Sequence, residues 1–137
     1  MKTQESGQIG EDLAARHLQA QGYKIVTRNW RPSGGMRGEI DIIAWIGKTL
    51  CFVEVKARRS NDHGAPQESV TISKQRQISR LANAYVSLHN LADVPCRFDV
   101  VEVWLPSDGT PSRLALHQNA FDYIESSAKQ RRGARIF

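Results

Sequence analysis

The 137-residue sequence lacks several features, and each absence excludes a class of protein. It has two cysteines, Cys51 and Cys96, both inside apolar strand-like runs, and the first residues, MKTQESGQ, contain no hydrophobic signal core. A disulfide-stapled secreted scaffold is therefore not expected, and we place the protein in a reducing cytoplasm. The apolar stretch at 40–46 is interrupted by Asp41. It falls far short of the ~20 residues of a membrane helix, so no membrane partner is expected.

Signals for zinc and for nucleotide binding are also missing. The tripeptide GKT at 47–49 matches the end of a phosphate-binding loop, but that motif needs a glycine where Ile42 stands. The sequence therefore predicts no NTPase. Zinc is not expected either, because no ligand spacing links the four histidines, which are His17, His63, His89 and His117.

The composition is that of an ordinary folded protein. Hydrophobic residues make up 40% and charged residues 24% of the chain, and 137 residues suit one hydrophobic core. We predict a single domain over residues 1–125 and a basic tail over 126–137. The formal net charge of +5 favours a polyanionic partner such as nucleic acid, although many basic proteins bind none.

The hydrophobic period changes several times along the chain and predicts the secondary structure. We expect an α/β fold, a mixed sheet with helices on its faces. The predicted elements are a helix at 7–21, a strand at 23–28, two strands within 39–56, a helix at about 73–90, a strand at 97–105 and a last helix from about 121.

The two strands within 39–56 form a predicted hairpin with Gly47 and Lys48 in the turn. In that register Ile40 shares one apolar face with Ile42 and Ala44, while Asp41 stands directly opposite Glu54. Cβ atoms in such a pair lie about 5 Å apart. Because like charges repel, the two acids need a shared proton, a cation or full solvation. A hard divalent ion such as Mg²⁺ prefers carboxylate oxygens and resolves the conflict most directly.

Lys56 follows Glu54 on the same predicted face. Its ammonium could position an attacking water or offset charge on a phosphate. An alternative stays open, in which Glu39 and Lys56 form an ordinary cross-strand ion pair and the two acids point into solvent. Candidate nucleic-acid contacts surround this end of the hairpin, namely Arg31, Arg37, Arg58, Lys74, Gln75 and Arg76.

These residues carry a resemblance to known nucleases. Asp41 and the Glu54-Val55-Lys56 run resemble the D…E-x-K core of the PD-(D/E)XK nucleases, the restriction-endonuclease-like superfamily. Glu11 is similar to an extra acid on the first helix of its Holliday-junction resolvases. Four ordered blocks resemble the YraN-type family of small bacterial endonuclease-like proteins: GEDLAARHL at 10–18, GEIDIIA at 38–44, FVEVKAR at 52–58 and RFDVVEV at 97–103.

The resemblance implies a restriction-endonuclease-like core in the order αβββαβ. It implies Asp41, Glu54 and Glu11 around one or two Mg²⁺ or Mn²⁺ ions, with Lys56 at the attacking water. The expected function is a metal-dependent endonuclease that cuts DNA, including branched or structured DNA, in repair or recombination. A non-catalytic nucleic-acid-binding protein on the same fold is the alternative. Whether two copies pair as a homodimer is left open by the sequence.

Overall fold

The computed structural model describes residues 3–58, 70–107, 109 and 111–125. Over these ranges the chain forms two helices and five strands in the order αβββαββ. They are α1 (Thr3–Ala20), β1 (Lys24–Trp30), β2 (Ile40–Ile46), β3 (Thr49–Arg58), α2 (Ile72–Leu88), β4 (Cys96–Trp104) and β5 (Arg113–Phe121).

The strands form one mixed sheet in the spatial order β1-β2-β3-β4-β5. Strands β3 and β4 are parallel and the other neighbouring pairs are antiparallel. Helix α2 therefore lies in the crossover that a parallel pair requires. The predicted α/β class, with its restriction-endonuclease-like core, is confirmed.

Each face of the sheet is covered by one helix. Under α1, Ala14 and Leu18 pack in a buried cluster with Ile42 and Val53. Under α2, Leu81 and Tyr85 belong to a second cluster that contains Phe52 and Phe98. Burial on both faces explains why β4 reads as a nearly continuous apolar run. Neither described helix is long and apolar enough to cross a membrane.

The end of the domain differs from the prediction. Strand β5 was not predicted, because most of its side chains are half-buried and no apolar alternation stands out in RLALHQNAF. The predicted helix from residue 121 is not found at 122–125, which have no regular structure. The connector at 59–69 and the basic tail at 126–137 lie outside the described residues.

The hairpin register is confirmed near its turn and ends sooner than expected. Ala44 pairs with Cys51 and Ile42 with Val53, and the ladder between β2 and β3 stops there. The prediction that Ile40 shares a face with Ile42 is wrong. Ile40 packs in the cluster under α2, whereas Ile42 packs under α1.

The reason is a change of face that strands β1 and β2 make together. Arg28 pairs with Ile42 and Trp30 pairs with Ile40. Arg28 bonds to acids on α1, whereas the ring of Trp30 lies 5.1 Å from that of Tyr85 on α2. Residues i and i+2 of a regular strand point to the same face, so this reversal needs an irregular residue between them. Asn29 supplies it with a φ of +53°.

Candidate functional site

Acidic side chains converge at the end of the β2–β3 hairpin that lies away from its turn. A cavity of about 280 Å³ is open there, and both Asp41 and Glu54 line it. Lys56 lies on its wall with Glu11 of α1. The four residues that the sequence analysis assigned to catalysis therefore meet around one cavity.

Asp41 and Glu54 are in direct contact. Their carboxyl groups share a hydrogen bond, and the backbone N–H of Val55 donates to Asp41 Oδ2 at 2.8 Å. Burial raises the pKa of the Glu54 carboxyl and the charge of Asp41 raises it further, while Lys74 opposes the rise. Burial also raises the pKa of Asp41, against the effect of the Val55 N–H. The two acids are therefore close together, as the sequence predicts. Without a cation, a proton held by the pair relieves the repulsion between their charges.

Glu11 reaches the same place from helix α1. Its side chain is 11% exposed. Arg28 donates to Glu11 Oε1 from Nε at 3.1 Å and from Nη2 at 2.9 Å, and its Nη2 also donates to Asp12 Oδ1 at 2.7 Å. The negative charge of Glu11 contributes to the raised pKa of Asp41. Glu11 is therefore close enough to act on the charge of the site.

Glu39 is a fourth acid of this cluster. Carboxylate oxygens of Glu11, Glu39 and Asp41 lie within 4.8 Å of one another. Glu39 accepts hydrogen bonds from Asn29 Nδ2 at 2.7 Å and from Arg31 Nη2 at 2.5 Å. The alternative of an ordinary Glu39–Lys56 ion pair with solvated acids is therefore wrong. Arg31 takes the place of the lysine, and neither Asp41 nor Glu54 is exposed to solvent as that alternative requires.

The donor set fits a hard divalent cation. Carboxylate oxygens of Glu11, Glu39 and Asp41 lie close together, and Glu54 adjoins Asp41. Such oxygen donors suit Mg²⁺ or Mn²⁺. Two lysines flank the acids. Lys56 is on the cavity wall, and Lys74 Nζ lies 3.9 Å from Glu54 Oε2. Positive charge is therefore available for a phosphate group next to the acids.

The residues expected to contact nucleic acid differ in whether their side chains are free to reach a ligand. Arg37 and Arg76 are exposed, as is Arg31 outside its bond to Glu39. Gln75 is held by its own helix start, where its Nε2 donates to Val70 O at 2.9 Å.

Arg58, expected in the same interface, turns into the sheet. Its side chain is 11% exposed and its Nε lies 2.5 Å from Oε2 of the buried Glu102, without the alignment of a hydrogen bond. His117 Nε2 lies 2.9 Å from the other oxygen of Glu102. The Arg58 guanidinium therefore already forms a buried ion pair with Glu102, and it is a poor candidate for a phosphate contact.

Sequence reasoning missed two residues of the site. Glu39 was placed against Lys56 because a regular hairpin was assumed to continue past Ile42. Asn29 lies just beyond the strand predicted at 23–28 and was given no role there. The available signal was an asparagine inside the β-branched run KIVTRNW, since asparagine tolerates left-handed backbone better than most residues.

Comparisons with known proteins place these residues in a family. The model described as "Uncharacterised protein family UPF0102" matches residues 10–103. A UPF0102 protein of Symbiobacterium thermophilum is 50% identical over 115 residues, which cover 84% of this chain and 94% of the relative. One from Geobacter sulfurreducens is 47% identical over 116 residues, 85% and 88% of the two chains. One from Chlorobaculum tepidum is 53% identical over 97 residues, 71% and 73% of the two chains.

Proposed function

The chain belongs to the UPF0102 family, the YraN-type family that its sequence blocks resemble, and from its acidic site we propose that it is a metal-dependent nuclease that hydrolyses DNA phosphodiester bonds. The observation that carries the proposal is the contact between Asp41 and Glu54 in a cavity that Lys56 also lines. A purely structural role does not account for it, since burying two acids together is costly.

Asp41 and Glu54 would hold the divalent ion, and Glu11 would support it or a second ion. Bound there, Mg²⁺ would polarise a phosphate oxygen and lower the pKa of a coordinated water. Arg28 supports this arrangement, because its two bonds fix Glu11 Oε1 at the cavity. The Val55 N–H holds one oxygen of Asp41 and so orients the carboxylate.

Lys56 would act on the water and on the phosphate. As an ammonium on the cavity wall, it can donate a hydrogen bond that orients the attacking water and can offset the charge that develops on the phosphoryl oxygens. Lys74, next to Glu54, would add positive charge on the side of α2.

DNA is the proposed substrate because of the charge around the cavity. Arg31 bonds to Glu39 and Lys74 lies beside Glu54, and the exposed Arg37 and Arg76 are close to these two residues in the chain. Phosphate contacts of this kind position a nucleic acid without reading its sequence. Branched or structured DNA in repair or recombination is the biological context we propose.

The test is cleavage of labelled linear, nicked, flapped and branched DNA with Mg²⁺ or Mn²⁺. We expect cutting by the wild type that a chelator abolishes. Glu54→Gln and Lys56→Met should each lose at least ~100-fold in rate, within the range of single catalytic groups. Asp93→Asn and Lys48→Met are matched controls, because both side chains are exposed and lie in turns away from the cavity.

Two outcomes would contradict the proposal. One is the absence of metal-dependent cutting on every substrate, and the other is undiminished cutting by Glu54→Gln and Lys56→Met. DNA binding that survives both substitutions and a chelator, without any cutting, would favour the non-catalytic binding protein.

A further inference from the structure

Asn29 has a left-handed backbone inside strand β1, with a φ of +53°. Residues other than glycine rarely adopt this conformation, and within a strand it interrupts the alternation of side chains. Its neighbours Arg28 and Trp30 pair with Ile42 and Ile40. Asn29 is therefore opposite Asp41, where β1 and β2 both change faces.

The side-chain amide of Asn29 bridges two acids of the site. Its Nδ2 donates to Glu11 Oε2 at 2.8 Å and to Glu39 Oε2 at 2.7 Å. Both acceptors are carboxylates, so the NH₂ group must face them, and both of its hydrogens are used. One neutral group thus joins an acid on α1 to an acid in the segment before β2.

This bridge differs in kind from the arginine contacts of the same acids. Arg28 and Arg31 bring positive charge to Glu11 and Glu39 and reduce their attraction for a cation. An amide holds two carboxylates together without neutralising either one. It therefore lowers the cost of their approach and adds no further positive charge to them.

We propose that Asn29 is the positioning residue of this site, and that its amide holds Glu11 and Glu39 beside Asp41 in the arrangement that binds a divalent cation. The inference rests on the proposed function, because it assigns a role within the same metal site. It also gives Glu39 a role in binding the cation, because the hydrogen bond from Asn29 orients the Glu39 carboxylate.

The test separates the effect of the Asn29 side-chain amide from the effect of its left-handed backbone. Asn29→Gly keeps a residue that accepts positive φ and removes the bridge, whereas Asn29→Ala removes both. Asn90 is a matched control, since its φ is +57° and it follows α2. Wild type, both Asn29 variants, Asn90→Gly and Asn90→Ala are titrated with Mn²⁺ and followed by electron paramagnetic resonance. Urea unfolding in a chelator measures their stability.

We expect Asn29→Gly to unfold near the wild-type urea midpoint and its Mn²⁺ dissociation constant to rise about tenfold, as for residues that orient metal ligands. Asn90→Ala should be destabilised by the strain of its backbone and should keep wild-type Mn²⁺ affinity. Asn90→Gly should keep both properties.

The outcomes distinguish this inference from the function on which it rests. Wild-type Mn²⁺ affinity in Asn29→Gly would overturn the role of Asn29 and leave the nuclease proposal intact. Loss of affinity in Asn90→Ala equal to that in Asn29→Ala would also overturn it, because stability alone would then explain the effect. A wild type that binds no Mn²⁺ at millimolar concentration would overturn the proposed metal site itself, and this inference with it.

Discussion

Gly10 of α1 lies directly over Ala57 of β3. A Cβ atom placed on Gly10 would come within 3.1 Å of the Ala57 Cβ, closer than such contacts normally are. The missing side chain lets the helix approach the sheet at the residue that precedes Glu11. Because Glu11 takes part in the acid cluster, this close approach links helix packing to the chemistry of the site.

Replacing Gly10 by leucine should move α1 away from β3. We expect a loss of about 1–3 kcal/mol in the free energy of unfolding, as for other overpacked sites, and a weaker affinity for Mn²⁺ as Glu11 moves away. Urea unfolding and Mn²⁺ titration measure the two effects. Gly7→Ala is the control, since a Cβ there would meet nothing within 4 Å. It should gain up to about 1 kcal/mol from helix propensity. Equal behaviour of the two variants would contradict this account of α1.

Removing one acid of the Asp41–Glu54 pair should stabilise the metal-free protein. In a chelator the two carboxyl groups avoid repulsion only by holding a proton between them, and their raised pKa values reflect the free energy that this costs. Asp41→Asn or Glu54→Gln removes that cost and keeps the shape of the side chain. We expect the free energy of unfolding to rise by about 1 kcal/mol or more, a common result where a site trades stability for function. Addition of Mg²⁺ should then stabilise the wild type and not the variants. A variant less stable than the wild type in chelator would argue against repulsion between these acids.

Stability should fall at alkaline pH because of two buried thiols. Burial raises the pKa of Cys51 and of Cys96 from 9.0 to about 12. Above pH 9 the unfolded chain loses these protons while the folded protein keeps them. The stabilisation is therefore complete below pH 9 and is lost as the pH rises toward 12, at up to about 1.4 kcal/mol per pH unit for each thiol. Urea unfolding between pH 8 and 10.5 measures the slope. The slope should be smaller in Cys51→Ala/Cys96→Ala, and an unchanged slope would contradict the assignment.

The regular parts of this fold follow from the sequence, and the site follows in part. The register from Ile42 to Ile46 was predictable because a one-residue shift would pair Asp41 with Val53 and mix charged with apolar side chains on each face. The same rule failed at Ile40, because alternation carries no information about a strand that changes faces. That reversal depends on the left-handed backbone of Asn29 and on packing against two helices. Both are features of the tertiary structure and do not show in a local sequence pattern. The contact between Asp41 and Glu54 was still found, since both acids lie next to the last regular pair.

Arg58 and Arg76 should respond oppositely to the same substitution. Arg58→Met leaves the buried Glu102 without its guanidinium partner, and we expect a loss of about 3 kcal/mol in the free energy of unfolding. Arg76→Met removes an exposed charge. It should leave stability within about 0.5 kcal/mol of the wild type, while DNA affinity and its salt dependence decrease. Urea unfolding and DNA titration over a range of salt concentrations measure both.

Adding Glu102→Gln should restore part of the stability of Arg58→Met, because the unpaired buried charge is then gone. A stable Arg58→Met variant with weakened DNA binding would instead place Arg58 in the nucleic-acid interface.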